Sequence, residues 1–596
     1  MRITNKMITN NASGNINGNK VLVDKTNTQM TTQKKIARPS ENPVIAIRSL
    51  RLQTTLNKVN QYYEKNIPDA ESWMDVTETA LTNIKDLLKN MRTLCVNGST
   101  GTLTEDDRST ILTQLKALQS QVYAEGNADY AGRTVFTGYR TNKTLTFTEN
   151  DSKTNYEITE PTNSDKIYKK RFYTNEVEVP ATAAEVTAGV NKQTMDVLES
   201  DYYTLRLSYE LDNLGDENAT PKPIKADQVN YFEYTFRRDD GTTKTYTMNL
   251  DVDANKDAVL TEFDDPDSAD PSNPRKVSYA KLNAGVDGDG NAESPATLSE
   301  VLIFNDEADW AAWSKTQTDT NGDKYTSKYV PDNSAVVIKS TGEVVLGNKA
   351  AETFLSHDAT FNVDYSKTGF DSGELRPEYY FNCTQYTDET GAETNEDVGG
   401  TTKGTKFERF DANGKPITYE IQYTVSQNQE LTVNMEANEA FNHDIYQDMG
   451  DMIDIVDRAV AAHNKVDQIK NMMKQDEYQS ETDQAKLNEW LKAAQKEADY
   501  ADDNLQKRYS ELLGNVDSYL EDINLSITKM GCRGDQLAIT KTRMNNQQQT
   551  VEELQSTNDD MDLSDIIIKY TAAYTAYQSS LTAAGKLGQQ TLLNYI

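Results

Sequence analysis

The sequence predicts an α+β protein: an elongated, discontinuous antiparallel helical bundle built from both termini, with a β-rich inserted region at its tip. Three observations predict it. Residues 1–140 and 436–596 repeat apolar residues at three- and four-residue steps, the period of a helix with one buried face. Residues 141–435 instead alternate polar and apolar residues in short runs broken by Gly, Asn, Asp and Pro clusters, the pattern of hairpins. Neither helical end is rich enough in apolar residues to bury its stripe alone, so each is expected to pack on the other.

Taken in order, residues 1–35 form a first segment whose Asn-, Thr- and Lys-rich "NNASGNINGNKVLVDKTNTQMTTQ" has a weak helical face. A helix of that kind is marginal in water, so partner packing must supply most of its ordering energy. The basic turn "QKKIARPSENP" (33–43) then aims this segment relative to the next helix. Pro43 suits a first helical turn, where a missing N–H costs nothing. From there Ile45, Leu52, Leu56, Val59, Tyr63 and Ile67, then Trp73, Leu81, Ile84, Leu88, Met91 and Cys95, share a helical face. Unbroken, such a helix would run roughly 80 Å, and Pro68 is expected to kink it or mark a join. Asn97-Gly98 ends it, and a second helix carries Ile111, Leu115, Leu118 and Val122, with a short strand, "RTVFTGY" (133–139), after it. Residues 36–140 thus read as the front half of a shaft.

The insert, 141–435, reads as one or two β domains, with strands at "KTLTFTE", "YTFRR", "TYTMNLDV", "AVVIKSTGEVVL" and "ITYEIQYTV". Residues 436–535 return to helix as the back half of the shaft, with Met452, Ile455, Val456, Ala459, His463, Val466 and Ile469 on one face. Residues 536–596 form a last helical segment, in which "NDDMDLSD" is a short hinge.

Composition narrows the function classes. At 596 residues the chain exceeds the size at which one core stops growing. Its 36% apolar content and mean hydropathy of −0.74 are low for a compact enzyme. The net charge of −33 argues against nucleic acid as a partner, since phosphate binding needs clustered Lys and Arg. The charge is uneven: residues 1–60 hold ten Lys and Arg against Asp24 and Glu41, whereas Glu552, Glu553, Asp559, Asp560, Asp562 and Asp565 crowd the other end. The two ends are expected to attract each other. Cys95, Cys383 and Cys532 show neither a disulfide framework nor metal spacing. No secretory h-region and no run of 18 apolar residues appears, so neither a cleavable signal nor membrane insertion is expected.

Candidate chemistry is sparse. "DVDANKDAVLTE" (251–262) puts Asp251, Asp253, Asn255, Asp257 and Glu262 at calcium-loop positions, but Lys256 replaces the glycine that the loop's sharp turn requires. "DGDGN" (287–291) and "DTNGD" (319–323) are similar acidic turns without a closing Glu, and all three read first as solvated hairpin loops. His357, His443 and His463 are scattered, and no nucleophile arrangement is legible. The expectation is no catalysis, no cofactor and no metal, and a chance "RGD" at 533–535 beside a helix join.

Several segments carry a family likeness. "MRITNKMITNN", "KKIARPSENPVIAIRSLRLQTTL", "QYYEKNIPDAESWMDVTETALTNIKDLL", "LTEDDRSTILTQL" and "AGRTVFTGY", with "AYTAYQSSLTAAGKLGQQTLLNYI" at the other end, resemble the hook-associated protein 3 family of the bacterial flagellum. These are flagellin-related proteins of the hook–filament junction. The likeness covers about 140 residues at the front and about 100 at the back, and leaves out the insert. Arg38, Pro39, Ser40 and Pro43, then Gln61, Tyr62 and Asn66, then Gly132, Phe136 and Gly138, look more like the junction protein than like flagellin, which usually has an Ala-Ala-Asp-Asp-Ala turn there. With Leu581 and Leu592 these are the candidate assembly residues. Two departures stand out: Gln33 occupies a position where relatives usually have glycine, and Cys532 interrupts a Gly-containing join.

The resemblance implies paired terminal helices lining the axial channel, with 1–35 and 536–596 as the axial segments. It further implies secretion through the flagellar type III export route to an extracellular position. The implied partners are further copies of itself, the hook-side junction protein, flagellin and an export chaperone, without nucleic acid or membrane. Flagellin itself is the alternative, and an adhesin or enzyme housed in the insert a third reading.

Overall fold

The computed structural model describes residues 5–98, 105–174, 177–189, 198–211, 232–237, 241–251, 259–266, 274–294, 296–318, 322, 324–386, 404–411, 414–440 and 442–589. Its main helices are α1 (Asn5–Thr32), α2 (Pro43–Gln61), α3 (Ile67–Gly98), α4 (Glu105–Gly126), α5 (Glu307–Ser314), α6 (Asp444–Met472), α7 (Glu481–Asp559) and α8 (Leu563–Gln589). Strands fill the middle of the sequence, so the protein is α+β. The chain divides into two compact units. One comprises Met1–Met74, Gln422–Val433 and Gly531–Ile596, the other Asp75–Ile421 and Asn434–Met530. Among the described residues no helix is long and apolar enough to cross a membrane.

In the first unit the two ends of the chain pair antiparallel. Asn19 Nδ2 donates to the carbonyl of Ala576 at 3.3 Å, joining α1 to α8. Alongside, α2 runs against the last part of α7: Asn558 Nδ2 donates to the Ile45 carbonyl at 3.1 Å, and Gln548 Nε2 to Asn60 Oδ1 at 3.1 Å. The start of α2 is built as its sequence dictates. Asn42 accepts from the amides of Val44 and Ile45, and Pro43 sits in the first turn. At Pro68 the chain stays helical, and the disturbance lies just before it. The five residues before Ile67 form a π-turn, Tyr62–Asn66, in which the Ile67 amide reaches back to Tyr62. Widening the coil there relieves the clash between the proline ring and the carbonyl four residues earlier. Val59, Ile67, Trp73, Leu537, Met544 and Val551 are buried in this unit.

A hairpin, Gln422–Ser426 with Gln429–Thr432, belongs to this unit although its alternating sequence reads as the end of the insert. Asn428, at φ 60°, turns it. Asn66 Nδ2 donates to the Thr424 carbonyl at 2.8 Å, Tyr423 donates to Asp69, and Gln429 Nε2 to Thr540 Oγ1 at 3.3 Å.

The second unit has its own antiparallel helices. Arg92 on α3 pairs with Asp517 on α7 at 2.6 Å, and Lys116 on α4 with Asp457 on α6 at 3.1 Å. Tyr123 and Tyr446 meet edge-on at 4.9 Å. The predicted stripes are the buried ones: Leu81, Ile84, Leu88, Met91 and Cys95 on α3, Met452, Val456, Val466 and Ile469 on α6.

Two sheets carry the rest of the second unit. One has seven strands in the order Tyr168–Thr174, Leu198–Arg206, Glu343–Leu346, Ser334–Ile338, Glu300–Phe304, Lys276–Asn283 and Thr261–Asp264. The other has six: Thr405–Phe407, Asn382–Gln385, Asp151–Asn163, Thr360–Phe370, Phe232–Arg237 and Thr243–Met248. All neighbours are antiparallel except Glu300–Phe304 with Ser334–Ile338, which run parallel and need a crossover, supplied through α5. Ser334–Ile338 and Glu343–Leu346 are buried along their whole length, as strands covered on both faces must be. Their connecting turn depends on Gly342, at φ 69°, where a Cβ would sit 2.4 Å from the Tyr209 carbonyl.

Three expectations are corrected here. The "RGD" stretch is not at a helix join: α7 runs unbroken from Glu481 to Asp559. Gly531 and Gly534 cost only about 1 kcal/mol each in a helix, and Met530 and Leu537, both buried, hold the helix on either side. "KTLTFTE" forms no strand, only the bridge of Thr146 to Leu375. The insert also contains helices at α5 and Asn348–Ser356. They run only eight or nine residues, too short to impose a legible period within an alternating sequence.

Candidate assembly surface

The turn after α1 holds the first group of candidate residues. Gln33, where glycine was expected, takes φ 54°, so the left-handed backbone is kept at a cost that a non-glycine residue must bear. The cost is met by pairing with the opposite end of the chain. The Met561 amide donates to the Gln33 carbonyl at 3.0 Å, and the Lys35 amide to the Asp559 carbonyl at 2.8 Å. Lys34 pairs with Asp560, and Ser49 Oγ donates to Asp559 Oδ2 at 2.7 Å. The Lys34 ammonium and the Ser556 hydroxyl hold the Asp560 carboxyl below its usual range. The attraction expected between a basic front and an acidic back is therefore local and specific. Arg38, Pro39, Ser40 and Pro43 stand exposed at the outside of this turn, which the Glu41 amide closes onto the Arg38 carbonyl at 3.0 Å.

Gln61, Tyr62 and Asn66 form the second group, at the π-turn. Gln61 is exposed, Tyr62 half-buried, and Asn66 is the residue that fastens the 422–432 hairpin. The third group lies in the second unit. Phe136 is buried and its carbonyl accepts the Ala437 amide at 2.9 Å. Gly132 (φ 76°) and Gly138 (φ 59°) turn the chain on either side of it. A Cβ on Gly138 would lie 2.4 Å from Glu436 Oε1, whereas nothing lies within 4 Å of one on Gly132. Glu436 is itself buried, paired with Arg409 at 2.9 Å and accepting the Tyr419 amide at 3.2 Å. The structure thus brings Phe136 and Gly138 onto an Arg409–Glu436 pair that sequence reasoning missed, because nothing local to those two residues marks them as partners.

Leu581 is exposed on α8, and Leu592 lies outside the described residues. Leu581 is one of several: Val21 and Leu22 on α1, Ile567, Ile568 and Tyr574 on α8, and Val44, Ile47 and Leu50 on α2 are all exposed. Val44, Ile47 and Leu50 are spaced at a three-residue step, which places them along one face of α2. Apolar side chains this numerous on paired helices make these faces the candidate assembly surface.

The tempting chemical sites fare differently. Of the calcium-loop candidates, Asp253, Asn255 and Asp257 lie outside the described residues; the Asp251 amide bonds the Lys281 carbonyl at 2.9 Å, and Glu262 is on a strand. At 287–291 the Asp287 carboxylate is occupied by its own turn, accepting the amides of Asn291 (2.9 Å) and Asp289 (3.1 Å), with Lys244 at 3.0 Å. Among the described residues no His, Cys, Asp and Glu cluster is suited to a metal. His463 pairs with Asp502 at 3.0 Å, and burial pushes the His443 pKa down to about 3.

Residues 3–141, which contain the first three groups, match the bacterial flagellin N-terminal helical region. That front is of the bacterial flagellin type. Over 126 residues the chain is 30% identical to flagellar hook-associated protein 3 of Escherichia coli, covering 21% of this chain and 39% of that one. Over 142 residues it is 27% identical to flagellar hook-associated protein 3 of Salmonella typhimurium, covering 24% and 44%. A flagellin from Clostridium tyrobutyricum is 29% identical over 122 residues, 20% of this chain and 32% of that one. The front of the chain is similar to flagellar hook-associated protein 3, and the chain spans less than half the length of each relative it matches here. The flagellin-type front supplies α1 to α4 and the turn motifs, and so carries the exposed faces of α1 and α2.

Proposed function

We propose that this protein is a structural, non-catalytic part of the bacterial flagellum, an adaptor at the hook–filament junction. It joins neighbours by packing helix faces. One observation carries this reading: the paired ends of the chain, α1 with α8 and α2 with the end of α7, leave apolar faces that the other described residues do not cover. Fully burying one Leu or Ile side chain is worth about 1.5–3 kcal/mol, so covering eight or nine of them supplies ample drive for assembly.

In this reading residues 1–35 and 536–596 are the axial segments, 36–140 and 436–535 the shaft, and 141–435 a variable insert. The partners are copies of itself, the hook-side junction protein, flagellin and, before assembly, an export chaperone. The place of work is outside the cell, reached by flagellar export. The names of the relatives and the turn residues Arg38 to Pro43 support the junction over the filament. Flagellin is the second reading, favoured by the flagellin-type front and the Clostridium match. Immunogold labelling separates them: a band near the hook supports the adaptor, label along the whole filament supports flagellin, and a chain lacking residues 1–35 that still attaches filaments sinks both.

A further inference from the structure

Within the second unit, α5 of the insert faces α6 and α7 across a cleft of about 710 Å³. That volume is in the range of small-molecule sites. Its floor is made of small apolar side chains, among them Ala308, Ala311, Ala461, Ala462, Ala501 and Ile455. Its rim is cationic: Arg275, Lys315, Lys328, Arg458 and Lys465 outnumber Asp265, Glu307, Asp457 and Glu497, in a chain whose 94 acidic residues exceed its 61 basic ones.

The positive charge converges at one point. Lys328 pairs with Glu307, and Arg458 stands 3.6 Å from the same carboxylate. Burial acts to raise the Glu307 pKa, yet Lys328, Arg458 and Lys170 together outweigh it and bring it down to about 2. Lys170 pairs directly with Glu343, so at this point three cations meet two carboxylates. Arg458, which remains more than half exposed, also lines a second cavity of about 270 Å³, in whose wall Arg206 and Arg508 both pair with Asp451.

We propose that this cleft binds a small amphipathic organic anion, its apolar body on the alanine floor and its acid group at Arg458. An apolar body displaces water from the alanines, and the acid group adds an anion to a place where three cations meet two carboxylates. Sugars and free inorganic anions fit less well, because the alanine side chains offer them no hydrogen bonds. The proposal is independent of the assembly role.

The test uses the full chain and two fluorescent probes of similar body, 8-anilinonaphthalene-1-sulfonate, an anion, and N-phenyl-1-naphthylamine, which is neutral. The expected result is saturable binding of the sulfonate at one site per chain, at least fivefold tighter than the neutral probe. Arg458→Glu should weaken the sulfonate about tenfold and leave the neutral probe unchanged. Ala461→Trp, at an exposed helical position facing the cleft, should remove both. Thermal melts monitored by circular dichroism report whether each variant stays folded, and Arg458→Gln replaces the charge reversal if it does not. Sulfonate affinity that is unchanged in the arginine and tryptophan variants would place the probe on the exposed helix faces and overturn the proposal, as would equal affinity for the two probes.

Discussion

Replacing Gly138 by alanine probes both the turn and the buried pair beneath it. Two costs add. At φ 59° an alanine occupies the left-handed region, at about 1–2 kcal/mol. Its Cβ would also sit 2.4 Å from Glu436 Oε1, so that carboxylate must move. A flexible side chain could swing aside cheaply, but Glu436 is buried and held by Arg409 at 2.9 Å and by the Tyr419 amide. Uncoupling a buried ion pair costs about 3–5 kcal/mol, and partial displacement should cost about half of that. The sum is about 3–4 kcal/mol. Gly132→Ala supplies the control, since it has the same backbone penalty at φ 76° with open space around the new methyl. Its cost should be about 1–2 kcal/mol. Urea unfolding, monitored by the tryptophans of the second unit (Trp310, Trp313 and Trp490), measures both. With slopes of about 2–3 kcal/mol/M, Gly138→Ala should fall about 1 M or more below wild type and Gly132→Ala by about half that. Equal shifts for the two variants would refute the reasoning, because they would mean that Glu436 yields freely.

Asp364 should destabilise the native state at neutral pH. It is largely buried with one oxygen unpartnered, and burial, joined by Glu157 and Glu233, raises its pKa to about 6. A raised carboxyl penalises folding above that pKa and ceases to do so below the unfolded value near 4, so Asp364→Asn should stabilise at pH 7 by up to about 3 kcal/mol. The gain should fade as pH drops from 6 to 4; a constant gain counts against it. Of the three thiols, Cys532 is exposed while Cys95 and Cys383 are buried, and burial pushes Cys95 to about 12. One thiol per native chain should react promptly with an aromatic disulfide reagent and three after denaturation. Ile568→Asp, on the exposed face of α8, should leave the melting curve within about 0.5 kcal/mol of wild type yet block incorporation into flagella. A destabilised monomer would mean that the face is already covered.

Period made much of the fold legible in the sequence. The stripes from Trp73 to Cys95 and from Met452 to Ile469 announce helices because each repeats over many turns, and those are the buried faces. The antiparallel return of the far end was legible from charge and from apolar poverty, and Lys34 with Asp560 shows the charge at work. Three things were not legible. α5 is two turns long and lies between strands, below the length at which period can be read. The parallel pairing of Glu300–Phe304 with Ser334–Ile338 is a tertiary choice that no local pattern encodes. The Arg409–Glu436 pair joins residues 27 apart in chain through a folded loop, and each looks like any other surface charge until it is buried. The π-turn before Pro68 is intermediate: the proline signalled a disturbance, but its form depended on the helix continuing past it.

The first unit is stitched from three pieces of chain separated by 347 and 97 residues, all of which belong to the second unit. A free loop of several hundred residues charges an entropic toll that grows with the logarithm of its length. Once the intervening chain has collapsed, it is no longer a free loop, and part of that cost has already been met. Connectivity thereby favours one order of folding events. The middle of the polypeptide is expected to condense before its extremities and the Gln422–Thr432 ribbon find one another, so a lesion in the sheets should surface first as a failure of the termini.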